Sequence, residues 1–328
     1  MVIDLYLDTR EKASKMTFTG GTAVRAASEA VFGSCARGDA DQLSDRDFLI
    51  VDDDPKILNA RAQALKAEGV SVAAYTFRKL ESLAAKKALF VQHLRLEASI
   101  VADRDARLAA VLSAFRPKEN YSPEIDDNAR LASLIATVPA GAKAELWAAD
   151  VLYVTVRNFG VLWLAGRQRY LFAYDRILDA LREEGVLNGT SVLNLRRLRF
   201  LKALYRGDNS TAEGIVHRKV GAALDGLPLG MFPESSLIVP PSDALAAPAP
   251  VGRSPAYLHV RDLEKRMLAA RSLFGDAFDD PALAALSEWI RDPRAYANLS
   301  ASRAPDLRAK LAALEMDMGL ARRARHYS

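Results

Sequence analysis

Apolar and polar positions alternate between strand and helix periods over the first hundred residues and keep a helical period beyond them. Phe48-Leu49-Ile50-Val51 is an uninterrupted apolar run and predicts a strand. A shorter run at 30–32 predicts another, entered from a short helix within 22–30. Asp52-Asp53-Asp54-Pro55 ends the 48–51 strand and opens a helix over 55–68, with Pro55 at the first helical position and Gly69 closing it. Residues 70–77 are β-branched and aromatic enough for a further strand. Leu80, Leu83, Leu89, Phe90 and Leu94 then recur at helical spacing and predict one helix over 77–98. Strand, helix, strand, helix implies a small mixed sheet with helices on one side.

Beyond residue 124 the strand signals nearly vanish. Stretches 129–135, 142–164, 168–184, 191–205 and 209–224 show helical periodicity, as do 260–274, 281–289 and 305–325. Residues 233–255 hold six prolines and little periodicity, and read as a linker or extended arm. The expected class is α+β: a sheet-containing domain over 1–115, a helical bundle over 116–235, a Pro-rich linker over 236–255 and a C-terminal helical segment over 256–328. Residues 146–165 are apolar enough to raise the question of a membrane span. Asp150, Arg157 and Asn158 lie inside them and are costly in lipid, so a buried bundle helix is expected, and no membrane partner.

Composition narrows the class without naming a partner. At 328 residues the chain holds two or three compact units. The net charge is +4 and the pI about 9.1, which suits an anionic substrate or RNA without demanding either. Cys35 is the single cysteine, so no internal disulfide forms, and four scattered histidines argue against zinc. Met1 to Arg10 carries acids and no signal-type apolar run, and a cytoplasmic location is expected.

The chemistry concentrates in residues 32–51. Gly33-Ser34 follows an apolar residue, a Gly/Asp-rich loop comes next, and Asp45 and Asp47 stand two apart at the head of the apolar run. In a strand, residues i and i+2 share a side, so both carboxylates project together. Two such hard oxygen donors suit Mg²⁺ or Mn²⁺. Gly33 permits close approach of backbone to phosphate, and Ser34 offers a hydroxyl. Arg37 is placed to pair with a triphosphate. The plain alternative is a Gly/Asp-rich turn whose acids are solvated.

This stretch resembles the signature of the polymerase β-like nucleotidyltransferases, particularly the small bacterial members. Gly33-Ser34, ten intervening residues, Asp45-Arg46-Asp47 and the apolar run carry the resemblance, supported by Ala36-Arg37-Gly38 and Ser44. It covers about residues 25–105. It implies catalytic and metal-binding roles for Asp45 and Asp47, and nucleotide contacts from Gly33, Ser34, Arg37 and Ser44. It further implies ATP or another nucleoside triphosphate as donor, Mg²⁺ or Mn²⁺ as cofactor, pyrophosphate as product, and an acceptor hydroxyl on tRNA, a protein or a small molecule. Relatives of this type occur in toxin–antitoxin and defence systems.

Two positions depart from the pattern. A third acid is usual on a neighbouring strand, yet Val70-Ser71-Val72-Ala73-Ala74-Tyr75-Thr76 has none, leaving Glu68 and Glu81 as substitutes. Arg46 points away from the acid pair, toward an acid such as Asp41 or toward water. A rival reading follows: a non-catalytic binding or regulatory module that keeps the fold and has lost the chemistry. Elsewhere, His93 reads either as a phosphate or acceptor contact or as a helix-surface histidine. Arg199, Lys202 and Arg206 share one helical face that either meets an anion or is solvated. Arg253 and His259 mimic a ribonuclease spacing but fall at the Pro-rich stretch. Trp147, Trp163 and Trp289 lie on apolar faces and are expected in the core.

Overall fold

The computed structural model describes residues 25–41, 44–206, 237–247 and 256–274. The readings over 209–224, 281–289 and 305–325, with Arg253 and Trp289, lie outside them. The chain divides into two compact units. One combines Met1–Ser122 with Gly160–Leu181, the other Pro123–Phe159 with Arg182–Ser328.

The first unit is built on strands β1 (Ser28–Val31), β2 (Asp47–Val51), β3 (Ser71–Tyr75) and β4 (Ser99–Asp103). Their order is β3-β2-β1-β4, with β2 parallel to β3 and β1 antiparallel to both β2 and β4. The helices are α1 (Ser34–Arg37), α2 (Pro55–Ala67), α3 (Phe77–Ala85), α4 (Leu89–Glu97) and α5 (Arg107–Ala114). The parallel β2–β3 pair requires a crossover, and α2 supplies it. Asp54 caps α2 by accepting from the Lys56 amide at 2.8 Å, and Pro55 follows at the first position.

Helices cover both faces of the sheet, where one covered side is expected from the sequence. Phe48 and Ile50 pack with Leu58, Ala62 and Leu65 of α2. Leu49 and Val51, on the opposite face, pack with Leu80, Leu94 and Leu108 of α3, α4 and α5. The reason lies in β2 itself: four consecutive apolar residues present two apolar faces, and each must be buried.

The predicted helix over 77–98 is two helices. Lys87, at φ 54°, breaks the path between α3 and α4. A 22-residue helix would run ~33 Å, about twice the ~17 Å span of a five-residue strand. The break lets Leu80, Val91 and Leu94 all reach the same sheet face. β4 directly after α4 is absent from the sequence reading. Its Ile100 and Val101 are exposed, so it carries no buried-strand pattern to recognise.

One polar pair is buried beneath α2. Arg61 Nε and Nη2 donate to the two carboxylate oxygens of Glu29 on β1 at 2.9 and 3.0 Å, and the Ala26 amide donates to the same group at 3.1 Å. Later in this unit Gly160 lies against Ile177. A Cβ at Gly160 would stand 2.2 Å from Ile177 Cγ2, so only glycine allows this approach.

The second unit contains α6 (Ser122–Ala132), a two-stranded parallel sheet of β5 (Thr137–Pro139) and β6 (Leu237–Val239), most of α7 (Ala142–Ala165), the end of α8 (Tyr174–Glu183), α9 (Gly189–Arg196), α10 (Leu198–Arg206), α11 (Pro241–Ala246) and α12 (Ala256–Phe274). Within the Pro-rich stretch, 237–239 thus form a strand and 241–246 a helix. α7 is long and apolar enough to cross a membrane by length and composition, and 67% of its most apolar window is buried in the protein. Its Asp150 is fully buried and ion-paired to Arg261 at 2.8 Å and to Arg206 at 3.0 Å. Trp147 on the same helix is in the core and donates Nε1–H to Glu264 at 2.9 Å. α12 buries five charged side chains, Arg261, Asp262, Glu264, Lys265 and Arg266. Arg266 pairs with Asp262 at 2.9 Å, and Lys265 donates to the Leu134 carbonyl and the Thr137 hydroxyl.

Removing one partner of a buried pair strands the other charge. Glu29→Ala is therefore expected to cost about 3–5 kcal/mol, read as a lowered denaturant midpoint.

Candidate active site

The site grows out of the β1–β2 pairing. Val31 stands opposite Phe48, so the next residues, Phe32 and Asp47, also stand opposite one another. The Phe32 amide donates to the Asp47 carbonyl at 3.2 Å and extends the ladder by one step. Opposed residues in an antiparallel pair share a face. Asp47 therefore projects on the same side as Ala30, Phe32 and Leu49, toward the α3–α5 layer.

Directly after Phe32 the chain turns at Gly33, φ 71°. A Cβ there would stand 2.9 Å from Asp47 Oδ2. The positive φ requires glycine, and a side chain there would also push the Asp47 carboxylate aside. α1 follows, and Gly38 closes it in the left-handed conformation at φ 75°. The Asp39 amide donates to the Ser34 carbonyl at 3.1 Å. The turn thus folds tightly against the start of β2.

Asp45 precedes the strand, which begins at Asp47, so the two acids are not both strand residues. Asp45 is exposed and Asp47 half-buried. The Asp45 carbonyl lies 4.0 Å from Cys35 Sγ, bringing the loop ahead of β2 against α1. Burial first and then the Asp47 carboxylate push the Cys35 thiol above its ordinary pKa, against the pull of Arg46, of the Ser34 hydrogen bond and of Arg37.

Ser44 closes its own loop. Its hydroxyl donates to Asp41 at 2.8 Å and accepts from the Asp41 amide at 3.0 Å. Arg37 Nε donates to both Asp39 oxygens at 3.1 Å, and its Nη1 pairs with Glu97. Glu97 also accepts from His93 Nε2 at 2.9 Å. Burial alone would raise the Glu97 carboxyl; His93 and Arg37 outweigh it and hold it below the usual range.

His93 is not a helix-surface residue. It is 8% exposed. Its ring stacks on Phe172 at 4.3 Å and meets the Phe32 ring edge-on at 5.5 Å. Arg176 comes within 3.6 Å of Asp39, so residues 172–176 of this unit touch the turn's support at two points.

The substitutes for a third acid are not gathered at Asp47. Glu81 pairs with Arg107, which also holds Asp53, beyond the far end of β2. Glu68, at the close of α2, is exposed, and its main-chain carbonyl accepts from Arg46 at 3.4 Å. β3 sets Ser71 beside Asp47. Among the described residues, no group of three or more His, Cys, Asp or Glu side chains is arranged to hold a metal ion. Mg²⁺ typically takes one or two protein carboxylates and fills its shell with substrate phosphates and water, a demand that Asp47 beside the Gly33 turn, with Asp45 two residues before it, fits.

In the second unit the basic helical face is partly spent. Arg206 is committed to Asp150, and Lys202 lies over the Tyr153 ring at 4.8 Å. His259 lies on α12 rather than in a linker.

Glu97, Phe172 and Arg176 escape the sequence reading. The His93–Glu97 spacing of four residues on a helix is the one signal that points to that pair.

Residues 24–95 match the family model of the nucleotidyltransferase domain. The match runs from just before β1 into α4 and contains Gly33, Ser34, Arg37, Asp45 and Asp47, while Glu97 falls two residues beyond it. Neither the curated proteins nor the solved structures contain a match to the chain.

The Asp47–Cys35 proximity has a direct readout, because Cys35 is the sole cysteine. Asp47→Asn removes a charge that opposes thiolate formation. Alkylation of Cys35 at fixed mildly alkaline pH should speed up, burial still holding the thiol above its ordinary pKa. An unchanged rate would mean that the two groups are not neighbours.

Proposed function

From a chain whose residues 24–95 form a nucleotidyltransferase domain, we propose a metal-dependent enzyme that moves a nucleoside monophosphate from ATP to an acceptor hydroxyl on tRNA or a protein. The observation that carries this reading is the contact of Gly33 with Asp47: the turn suited to phosphate lies against the carboxylate suited to metal.

In this reading Asp45 and Asp47 would hold the cation, and Gly33, having no side chain, lets the turn lie close to the Asp47 carboxylate and to a phosphate bound beside it. A bound Mg²⁺ would neutralise charge on the triphosphate and acidify the attacking hydroxyl. Ser34 donates its hydroxyl to a phosphate oxygen. Ser44 acts by shaping the loop that presents Asp45. Arg37 already has carboxylate partners, which supports a role in fixing the turn as well as in adding positive charge near the phosphates. The acceptor hydroxyl attacks the α-phosphorus in line, its proton passing to water as the bond from the α-phosphorus to the bridging oxygen breaks and pyrophosphate leaves.

A second reading has its own support. No third acid joins Asp45 and Asp47 among the described residues. A domain that binds nucleotide without transferring it would keep every contact above.

Incubation with α-labelled ATP, Mg²⁺ and total tRNA or lysate separates the two. Transfer predicts a labelled acceptor that disappears in Asp45→Asn and Asp47→Asn. Ser34→Ala should weaken triphosphate binding about two- to tenfold, the worth of one hydrogen bond, and leave adenosine binding unchanged. Labelling that survives both acid substitutions contradicts the catalytic assignment. Nucleotide binding with no labelled species favours the binding module.

A further inference from the structure

A line of polar contacts runs from α4 to the turn. His93 Nε2 lies 2.9 Å from Glu97 Oε2. A carboxylate only accepts, so Nε2 carries the proton and the tautomer is fixed. Glu97 in turn pairs with Arg37, the last residue of α1. The Arg37 amide donates to the Gly33 carbonyl at 3.0 Å, closing the turn that packs Gly33 on Asp47.

The same imidazole is wedged between two aromatic rings. Phe172 stacks on one face and Phe32 takes an edge. Phe32 stands opposite Asp47 on the same face of the sheet. His93 therefore bears on the acid and the turn by two routes, packing through Phe32 and hydrogen bonding through Glu97. These routes differ in what they need. Packing needs a flat ring. The polar route needs a donor at the position of Nε2.

We infer that His93 is a positioning residue of the nucleotide site, acting through its hydrogen bond to Glu97, which holds Arg37 and with it the Gly33–Gly38 turn beside Asp47. The inference rests on the nucleotide reading of the site. Arg37 carries a guanidinium on a long, flexible stem, and fixing it in one rotamer costs side-chain entropy that two carboxylates offset in advance. Asp39 is exposed, two residues along the chain from Arg37, and its tie to another element is a 3.6 Å approach from the exposed Arg176, a solvent-screened pair of little worth. Glu97 supplies the anchor because it ends α4, whose Val91 and Leu94 are in the core.

His93→Gln keeps a donor near the Nε2 position and loses the ring. His93→Phe keeps the ring and loses the donor. MgATP affinity, measured calorimetrically on the full chain, should stay within about twofold of wild type in His93→Gln. It should fall about tenfold in His93→Phe, the order of one charge-assisted hydrogen bond. Glu97→Gln is a second variant that keeps the shape and should fall similarly. Adenosine affinity should be unaffected in all three, since the turn is assigned to phosphate. The reverse order, with His93→Phe normal and His93→Gln weak, would show that packing is what matters and overturn the inference. Equal MgATP affinity in all variants would overturn it too. A wild-type chain that fails to bind MgATP at millimolar concentration would refute the nucleotide reading itself, which distinguishes that failure from the failure of the relay.

Discussion

Everything proposed for this chain depends on one register. Antiparallel pairing sets Val31 opposite Phe48, and the next step brings Phe32 opposite Asp47. The turn at Gly33 then falls against the Asp47 carboxylate, at a distance no other residue type allows without displacing it. A slip of one residue would send Asp47 to the α2 face and Phe48 to the other. The register is protected by β2 itself. Its two apolar faces are buried under different helices, so neither can be exchanged for the other at low cost.

The site is stiffened from outside the acid motif. Glu97 lies beyond the family match, and Phe172 and Arg176 come from a segment more than seventy residues further on. They meet the turn and its support at separate residues, Glu97 at Arg37, Arg176 at Asp39 and Phe172 at His93. The second unit shows a different economy. It buries a charged helix, α12, and satisfies it largely with carboxylates and carbonyls from its own unit. Breaking such a network costs more than its net stabilising effect, because each lost partner leaves a desolvated charge behind.

The sequence makes the turn, β2 and α2 legible because each rests on local requirements. Gly33 is needed for a positive φ, the apolar run for a buried strand, and Asp54-Pro55 for a helix start. What it conceals is set by tertiary distance. The break at Lys87 follows from the limited span of the sheet, which no helical periodicity encodes. β4 is an edge strand with exposed apolar residues, directly after the stretch read as helix, and shows no buried-strand pattern of its own. Arg206 shares a helical face with Arg199, yet its guanidinium turns inward to Asp150 on a helix more than fifty residues away in sequence. His93 is polar and reads as surface, but an aromatic partner from residue 172 covers it.

The central claim is that Asp45, Asp47 and the Gly33 turn form one site that holds cation and triphosphate together. Mn²⁺ binding followed by electron paramagnetic resonance, with and without a non-hydrolysable ATP analogue, tests it most directly. Two carboxylates alone hold a divalent cation weakly, and phosphates complete its shell. Mn²⁺ should therefore bind weakly to the free chain, tightly when the analogue is present, and no more tightly than the analogue alone accounts for in Asp47→Asn. Equal Mn²⁺ affinity with and without nucleotide, or cooperative binding that persists in Asp47→Asn, would contradict the account.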